Sequence, residues 1–526
     1  FEWEANMQRR AEMYGKGGMS ELKVGDIVAR TVLPGDYVIF GRQPSLHRQS
    51  LNGLRVVPLN QHAISFNPAI CVPFNADFDG DQMNIYVPGS EEAMNEIRDK
   101  MQLKDNMLHH RMGKLVIGTD HDQTSGVYLL TMKHKSKAGT FDSSTGLGFD
   151  EDGVPYFSKA MMNNMFQHVF HTDDKGEKHY VLDYGTPDRG KFYSGYRCIS
   201  LLLPDGINAR FKSGIMYNPD GTIMRDEKEK PVKDETVIID GEVITGTLDR
   251  TFMGKEKGTL APAFYYRFGY EEGANQMCKF VDMLCRLGFA AHHALGYSMG
   301  VADCGVSKDM YEEVRSGYEE ASAICAQINI DFVERNMQKY VEDPSYLPDT
   351  TKVEKQQILD KAPYQFRQML IYEAQEPWED ATVRKVSDIA GSDNAMEIAV
   401  RSGGRGKELN IQQMGAAYGQ VRISGSLPLR GLDGTGYWAY PPGTDPETDE
   451  PYEPEYVDFG MRRQFSHYPL PGYDISHPIH HGFVKNSYYT GMEPHEYFTI
   501  SIAGRRSDME SSSGSLQDSG YLANKV

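Results

Sequence analysis

Asp77-Phe78-Asp79-Gly80-Asp81 places three carboxylates at alternate positions in one short stretch. Apolar, β-type segments flank it on both sides, Ala69 to Phe74 and Met83 to Val87, so the acids are anchored beside a core. Three such charges repel one another unless something positive sits among them, so this spacing asks for a cation. Hard oxygen donors suit Mg²⁺ or Ca²⁺, and Gly80 permits the tight turn that lets the side chains converge. An EF-hand calcium loop would need Gly at the sixth position from Asp77 and Glu at the twelfth. Gln82 and Pro88 stand there. An idle surface turn would not be held between apolar segments, and a metal-binding loop is the reading that remains.

The approach to this loop has its own character. From Gly41 to Ala76 there is no Asp or Glu, while Arg42, His47, Arg48 and Arg55 are present. A basic, acid-free run followed at once by three acids suits phosphate chemistry, with Arg for phosphate or ribose oxygens and Mg²⁺ for the reacting groups. For any one of these arginines the plain alternative is ordinary surface charge, and for His47 a satisfied core histidine.

The whole-chain charge points the other way. The 526 residues hold 55 Lys and Arg against 74 Asp and Glu, a net charge of −19. Coating duplex DNA depends on cations neutralising phosphates, so the chain is not expected to grip duplex alone. The acids are unevenly spread: Arg401 to Arg430 contains only Glu408 among Arg401, Arg405, Lys407, Arg422 and Arg430. At roughly 100–200 residues per domain the length calls for several domains, and 40 % hydrophobic with 25 % charged residues excludes wholesale disorder. No run approaches the ~18 apolar residues needed to span a bilayer. Six scattered cysteines contain no C-x-x-C, which excludes a zinc ribbon, so no zinc is expected in this chain; they give no disulfide framework and point to reduced, intracellular thiols. Cys278 and Cys285 are read as core packing. The start at Phe1, without Met or an apolar leader, is read as a processed or truncated end.

Local patterns give an element order. Asp36–Phe40, Leu54–Leu59 and Ala63–Phe66 read as short strands of a small barrel or sandwich. Glu91–Met101 reads as a helix with Ser90 as N-cap. Residues 134–260 mix polar strands and turns with little recognisable chemistry. Glu272–Leu295 reads as a buried helix, and Lys308 to about Lys361 as an exposed helical hairpin broken near Pro344 and Pro348. Gly425–Gly472 reads as a solvated, acidic, Pro-rich loop. Pro494–Phe498 opens a final helix. No internal repeat is visible.

Asn75-Ala76-Asp77-Phe78-Asp79-Gly80-Asp81 resembles the metal-binding signature of the largest subunit of multisubunit DNA-directed RNA polymerases, β′ in bacteria. Gly41-Arg42-Gln43-Pro44-Ser45-Leu46-His47-Arg48 is similar to the family's preceding segment in its archaeal and eukaryotic wording, and Val87–Ala93 continues the match. Ser402–Met414 resembles the F-loop, and Gly482–Gly491 through Gly504-Arg505-Arg506 resembles the approach to the bridge helix. These blocks stand in family order.

The resemblance implies an α+β multidomain chain. A double-psi β-barrel catalytic region with the metal loop would occupy 1–90, a pore-type mixed region 91–300, and funnel or secondary-channel helices 301–390. The F-loop would occupy 391–425, an acidic Pro-rich loop 426–481 and the bridge helix 482–526. It implies that Asp77, Asp79 and Asp81 hold a permanent Mg²⁺, that a second Mg²⁺ arrives with the nucleoside triphosphate, and that Arg42 and Asn75 read ribose hydroxyls of the incoming nucleotide. Arg506 and Ser512 would face the template from the bridge helix. The implied partners are a β-like second-largest subunit, the remaining β′-like parts (clamp and trigger loop), DNA template, RNA and NTPs, with no membrane. The implied location is intracellular, with the virion as a further compartment for a viral enzyme.

Departures accompany the match. Ser507-Asp508-Met509-Glu510-Ser511-Ser512-Ser513-Gly514-Ser515 is poor in helix formers, so a softer, kinked bridge helix is expected. The missing clamp module and trigger loop imply a split subunit, and the missing Met together with the diverged bridge helix favours a viral or phage source. Two alternatives stand beside the leading reading. One is a single-chain RNA polymerase of the RNA-silencing type, which needs two barrels where one barrel-like region is visible. The other is a non-catalytic assembly subunit, which the intact acids, Arg42 and Asn75 oppose.

Overall fold

The computed structural model describes residues 31–109, 113–173, 177–218, 222–254, 257–306, 308–333, 393–423, 437–439, 455–457 and 482–510, with isolated positions at 378, 382, 386, 391, 520 and 525. The chain divides into two units, Phe1–Met107 and Leu108–Val526.

The first unit is built on β1 (Tyr37–Gly41), which pairs antiparallel with β2 (Leu51–Arg55) on one side and β3 (Asn84–Tyr86) on the other. Tyr-Val-Ile-Phe suits a pleated, half-buried strand, and its alternation turns Val38 and Phe40 inward. Phe40 meets Phe74 edge-on at 5.2 Å and Phe66 at 5.4 Å, with Ile70 completing the core. Helix α2 (Glu91–Lys100) starts as expected: Ser90 Oγ accepts the Ala93 N–H at 3.2 Å, and Glu91 and Glu92 lie in the positive first turn. Its one buried residue, Ile97, rests on Gly53 so closely that a Cβ there would lie 2.5 Å from Ile97 Cγ2.

Three expected strands come out differently. The second strand is Leu51–Arg55 rather than Leu54–Leu59, because Pro58 has no N–H to give a ladder and Val57 and Leu59 are exposed. Ala63–Phe66 is no strand. Gln61 Nε2 donates to Ala63 O at 2.8 Å and to Ser65 Oγ at 2.6 Å, a local alternative to pairing. Ala69–Phe74 is helical: Asn67 caps a 3₁₀ turn over Pro68–Ile70 that runs into the short helix α1 (Cys71–Phe74). Pro68 at the first helical position fixes the φ that starts it.

In the second unit, α3 (His121–Thr131), which α4 (Lys159–Phe166), α5 (Gly195–Ser200) and α6 (Ala261–Phe268) follow in the chain, crosses the long helix α7 (Tyr270–Leu295), which buries Met277, Phe280, Val281, Leu284, Leu287 and Ala291 along one face. Cys285 is inside this face and Cys278 half-buried. A four-stranded antiparallel sheet runs β4 (Phe141–Asp142), β5 (Leu147–Phe149), β6 (Pro155–Phe157) and β9 (Tyr193–Ser194). The two-stranded hairpin β7 (Phe170–Thr172) and β8 (Lys178–Tyr180) lies between β6 and β9 in sequence. A second sheet follows, β10 (Ala209–Ser213), β11 (Asp234–Ile239) and β12 (Glu242–Thr245). Helix α8 (Lys308–Val333) accounts for the first arm of the expected hairpin; Pro344 and Pro348 lie outside the described residues.

Helices α9 (Ala395–Arg401) and α10 (Glu408–Gly415) carry the segment that resembles the F-loop, packing Met396 and Ile411 with Val314, Trp378, Ala417 and Phe483. Within the expected loop Gly425–Gly472, Tyr437–Ala439 (β13) and Glu455–Val457 (β14) form an antiparallel pair. Aromatic and β-branched residues at these positions outweigh the Pro-rich composition around them. The remainder of that loop lies outside the described residues. The final helix, α11 (Pro494–Met509), begins at Pro494 as the sequence predicts and is helical through Met509. The rest of the stretch in which softening is expected, 511–517 with Ser512 included, lies outside the described residues. Among the described residues no helix is long and apolar enough to cross a membrane.

Candidate metal centre

The acidic loop is shaped from both ends. On its N-terminal side, α1 closes at Asn75, whose φ of 47° and ψ of 45° are left-handed. Its N–H caps Cys71 O and Val72 O, and the reversal sends the chain away from buried Phe74 into the loop. Asn tolerates this conformation better than most residues. Gly80, at φ 120°, supplies the second sharp turn. On the C-terminal side, the loop feeds β3, whose register against β1 pairs Gly41 with Asn84. That register brings Arg42, the residue after β1, beside Asp81.

The three carboxylates converge. One oxygen from each of Asp77, Asp79 and Asp81 lies within 4.8 Å of the others. Asp81 is the best held: Arg42 Nε donates to its Oδ2 at 2.8 Å, Arg42 Nη2 to its Oδ1 at 3.0 Å, and the Asp77 N–H to Oδ2 at 3.1 Å. The guanidinium hydrogen bond, then that N–H, hold the Asp81 carboxyl below the usual carboxylate range. Asp79 is pushed the other way. A hydrogen bond shared with Asp77 and the Asp77 charge make its proton harder to lose. One oxygen from each of three acids, with Asp77 raising the proton affinity of Asp79, makes an all-oxygen donor set whose hard chemistry fits Mg²⁺. Phe78, 65 % exposed, leans on Phe66 at 5.3 Å and leaves the loop open to solvent.

Other predicted positions fall as follows. Asn75 is exposed beside the triad. His47 Nδ1 and Ser50 Oγ are 3.3 Å apart, and Arg48 Nη2 donates to Lys100 O at 3.3 Å, so both serve local structure. Arg506 is on α11 in the second unit, with Nε donating to Glu510 Oε1 at 2.9 Å.

The profile for RNA polymerase Rpb1, domain 2, matches residues 4–103, which contain the acidic loop, and that for Rpb1, domain 3, matches residues 106–304. The chain belongs to the largest-subunit family of DNA-directed RNA polymerases. Among its relatives, DNA-directed RNA polymerase subunit Rpo1N of Methanococcus vannielii is 27 % identical over 508 residues, covering 95 % of this chain and 47 % of that protein. Rpo1N of Thermoplasma acidophilum is 28 % identical, covering 96 % and 48 %. DNA-directed RNA polymerase III subunit RPC1 of Saccharomyces cerevisiae is 26 % identical, covering 96 % and 30 %. The chain therefore spans at most about half the length of these relatives.

In this largest-subunit chain, two further clusters stand outside the site residues named from the sequence. Arg401 on α9 is buried and pairs with Glu397, which is fully buried, and with Glu408 at the start of α10. This pins the F-loop-like turn between the two helices. The second cluster is on the β7–β8 hairpin, where Asp173, Glu177 and His179 bring donor atoms within 4.8 Å of one another. An i, i+4 spacing on α9 was available as a signal for the first; the second needs strand pairing to be seen.

Proposed function

We propose that this chain is the catalytic part of a DNA-directed RNA polymerase, adding nucleotides to an RNA 3′ end on a DNA template when assembled with partner subunits. The observation that carries this reading is the convergence of Asp77, Asp79 and Asp81 with Arg42 on one loop. Asp77, Asp79 and Asp81 would hold Mg²⁺, which when bound would supply positive charge to the reacting phosphate, a second ion accompanying the triphosphate in the two-metal scheme.

The chain's own residues then position. Arg42 holds Asp81 beside the other two acids. A guanidinium there suits ribose hydroxyl or phosphate oxygens, and Asn75, exposed two residues before Asp77, offers an amide to the same ribose. Selection of ribonucleotides over deoxynucleotides follows from contacts to the 2′-hydroxyl. The barrel, pore, funnel and bridge-helix assignments by region, Arg506 and Ser512 on the template side, the β-like and remaining β′-like partners and an intracellular location belong to the same proposal.

The test is reconstitution with the partner subunits and template-dependent RNA extension in Mg²⁺. Asp79→Ala abolishes extension while leaving assembly intact. Extension by Asp79→Ala at the wild-type rate would overturn the catalytic assignment, and extension by the isolated chain would overturn the need for partners.

A further inference from the structure

The turn between α9 and α10, residues 402–407, is held from two sides. From within, Arg401 at the end of α9 pairs with Glu397 one turn back and with Glu408 at the start of α10. From outside, His121 at the start of α3 sets its Nδ1 3.1 Å from Gly404 O. A carbonyl only accepts, so the imidazole donates. His121 makes this contact from a strained backbone: its φ of 45° lies in the left-handed region, which few residues other than glycine enter. Its side chain is 55 % exposed, so burial of the ring does not hold it there. Close main-chain packing against the turn does: a Cβ on Gly404 would lie 2.8 Å from His121 O.

What the turn positions is decided at the other end of α10. Gln413 O and Met414 O accept the N–H groups of Tyr488 at 3.3 Å and Tyr489 at 2.9 Å. The Tyr418 N–H donates to Asn486 O at 3.0 Å, and Gly419–Gln420 pairs with Phe483–Val484. Glu496 of α11, buried, then accepts from the N–H groups of Lys485, Asn486 and Glu493 and from the Asn486 amide. Helix α10 is thus a strut from the held turn to the segment that starts α11. In its first two turns α11 buries Glu496, Thr499 and Ile500, and from 504 to 510 it is exposed. A small rotation at that anchored end grows along the exposed part, where Arg506 stands.

We infer that His121 and Glu408 are positioning residues: with Arg401 they fix the α9–α10 turn and, through α10, the angle at which α11 leaves the second unit. Neither residue touches the acidic loop. The effect on catalysis rests on the proposed template-side role of α11, whereas the mechanical link from the turn to α11 does not.

Hydrogen exchange of the full chain tests the mechanical link, and steady-state RNA extension by the assembled polymerase tests the catalytic one. His121→Ala removes the imidazole donor. Glu408→Ala, at a half-exposed side chain, frees the start of α10 and leaves Arg401 paired with Glu397. In each variant the amides of Arg405, bonded to Ala399 O, and of Tyr489 should exchange about threefold faster or more, the size of a partly exposed contact. The buried face of α7 should exchange as in wild type. In extension, kcat should fall about threefold or more while KM for NTPs stays within about twofold. His121→Asn accepts a left-handed φ and offers Gly404 O a donor, and Glu408→Gln offers Arg401 an acceptor, so each should restore both readouts. Wild-type Tyr489 exchange in folded His121→Ala and Glu408→Ala chains overturns the inference, as does wild-type kcat in both. Losses that His121→Asn and Glu408→Gln fail to restore overturn it equally, because the contacts named would not be their cause. An assembled wild type that makes no RNA would overturn the proposed function instead, and the exchange rates would still decide the link to α11.

Discussion

Arg42 closes on Asp81 with two arms of its guanidinium, Nε 2.8 Å from Oδ2 and Nη2 3.0 Å from Oδ1. The pair is partly shielded, with side-chain exposures of 23 % and 18 %. Arg42 therefore competes with any cation for Asp81 before it can serve a substrate. Arg42→Ala should tighten Mn²⁺ binding to the isolated chain by about threefold, the size expected of a partly exposed ion pair. In the assembled polymerase the same substitution should raise KM for NTPs. Spin-resonance titration of Mn²⁺ and steady-state extension assays check the two signs, and weaker Mn²⁺ binding in Arg42→Ala would refute the competition.

Gly80 makes a different demand on the loop. At φ 120° no L side chain is comfortable, yet a Cβ there would meet nothing within 4 Å. Gly80→Ala thus costs backbone strain alone, about 1–3 kcal/mol. The exposed loop can relieve this by splaying, so Mn²⁺ affinity should fall by about tenfold while the melting temperature barely moves. A large melting shift at unchanged affinity would show the strain being absorbed in the core instead.

The acidic loop and several helix starts were legible because their causes are local. Ser90 caps α2, Pro494 starts α11, and three aspartates two apart need no tertiary knowledge to be noticed. Strand content between Arg55 and Phe74 was misread because Ala63–Phe66 and Ala69–Phe74 are apolar in composition, while side-chain hydrogen bonds from Gln61 and the turn begun at Asn67–Pro68 decide their backbone. The Arg42–Asp81 pair depends on the β1–β3 register, and the Asp173–Glu177–His179 cluster on the β7–β8 pairing. Neither is written in spacing. Arg401 stands in the sequence only as one cation of an acid-poor run; its burial between Glu397 and Glu408 depends on the packing of two helices, which a single sequence does not display.

Helices α3 and α7 touch backbone to backbone. A Cβ on Gly126 would lie 2.0 Å from Gly288 O, and one on Gly288 would lie 2.5 Å from Gln123 O. Because the obstacle is main chain rather than a movable side chain, Gly126→Ala and Gly288→Ala should each destabilise the second unit by about 3 kcal/mol, the upper end for overpacking. They share one contact, so the double variant should lose less than the sum. Chemical denaturation of the four proteins measures this, and additive losses would mean that the helices separate at the first substitution.

His134 gives the second unit a pH dependence whose sign follows from burial. Its Nε2 lies 3.1 Å from Leu129 O and its Nδ1 3.7 Å from Asp393 Oδ1, while Asp393 Oδ2 accepts the Ser136 N–H at 2.7 Å. Desolvation lowers its pKa below the ordinary 6.5, and the Leu129 carbonyl and the Asp393 charge offset only part of that. Above 6.5 the ring is neutral in both folded and unfolded chains, and His134 imposes no pH dependence. As pH falls through 6.5 the unfolded chain takes up the proton first, so stability falls until the folded pKa is reached and then levels off. His134→Gln keeps a donor for Leu129 O without titrating, and should flatten the stability profile between pH 7 and pH 5 relative to wild type. Denaturation midpoints across that range provide the check. A wild type that gains stability on acidification, where His134→Gln does not, would mean that Asp393 outweighs burial and that His134 is charged in the fold.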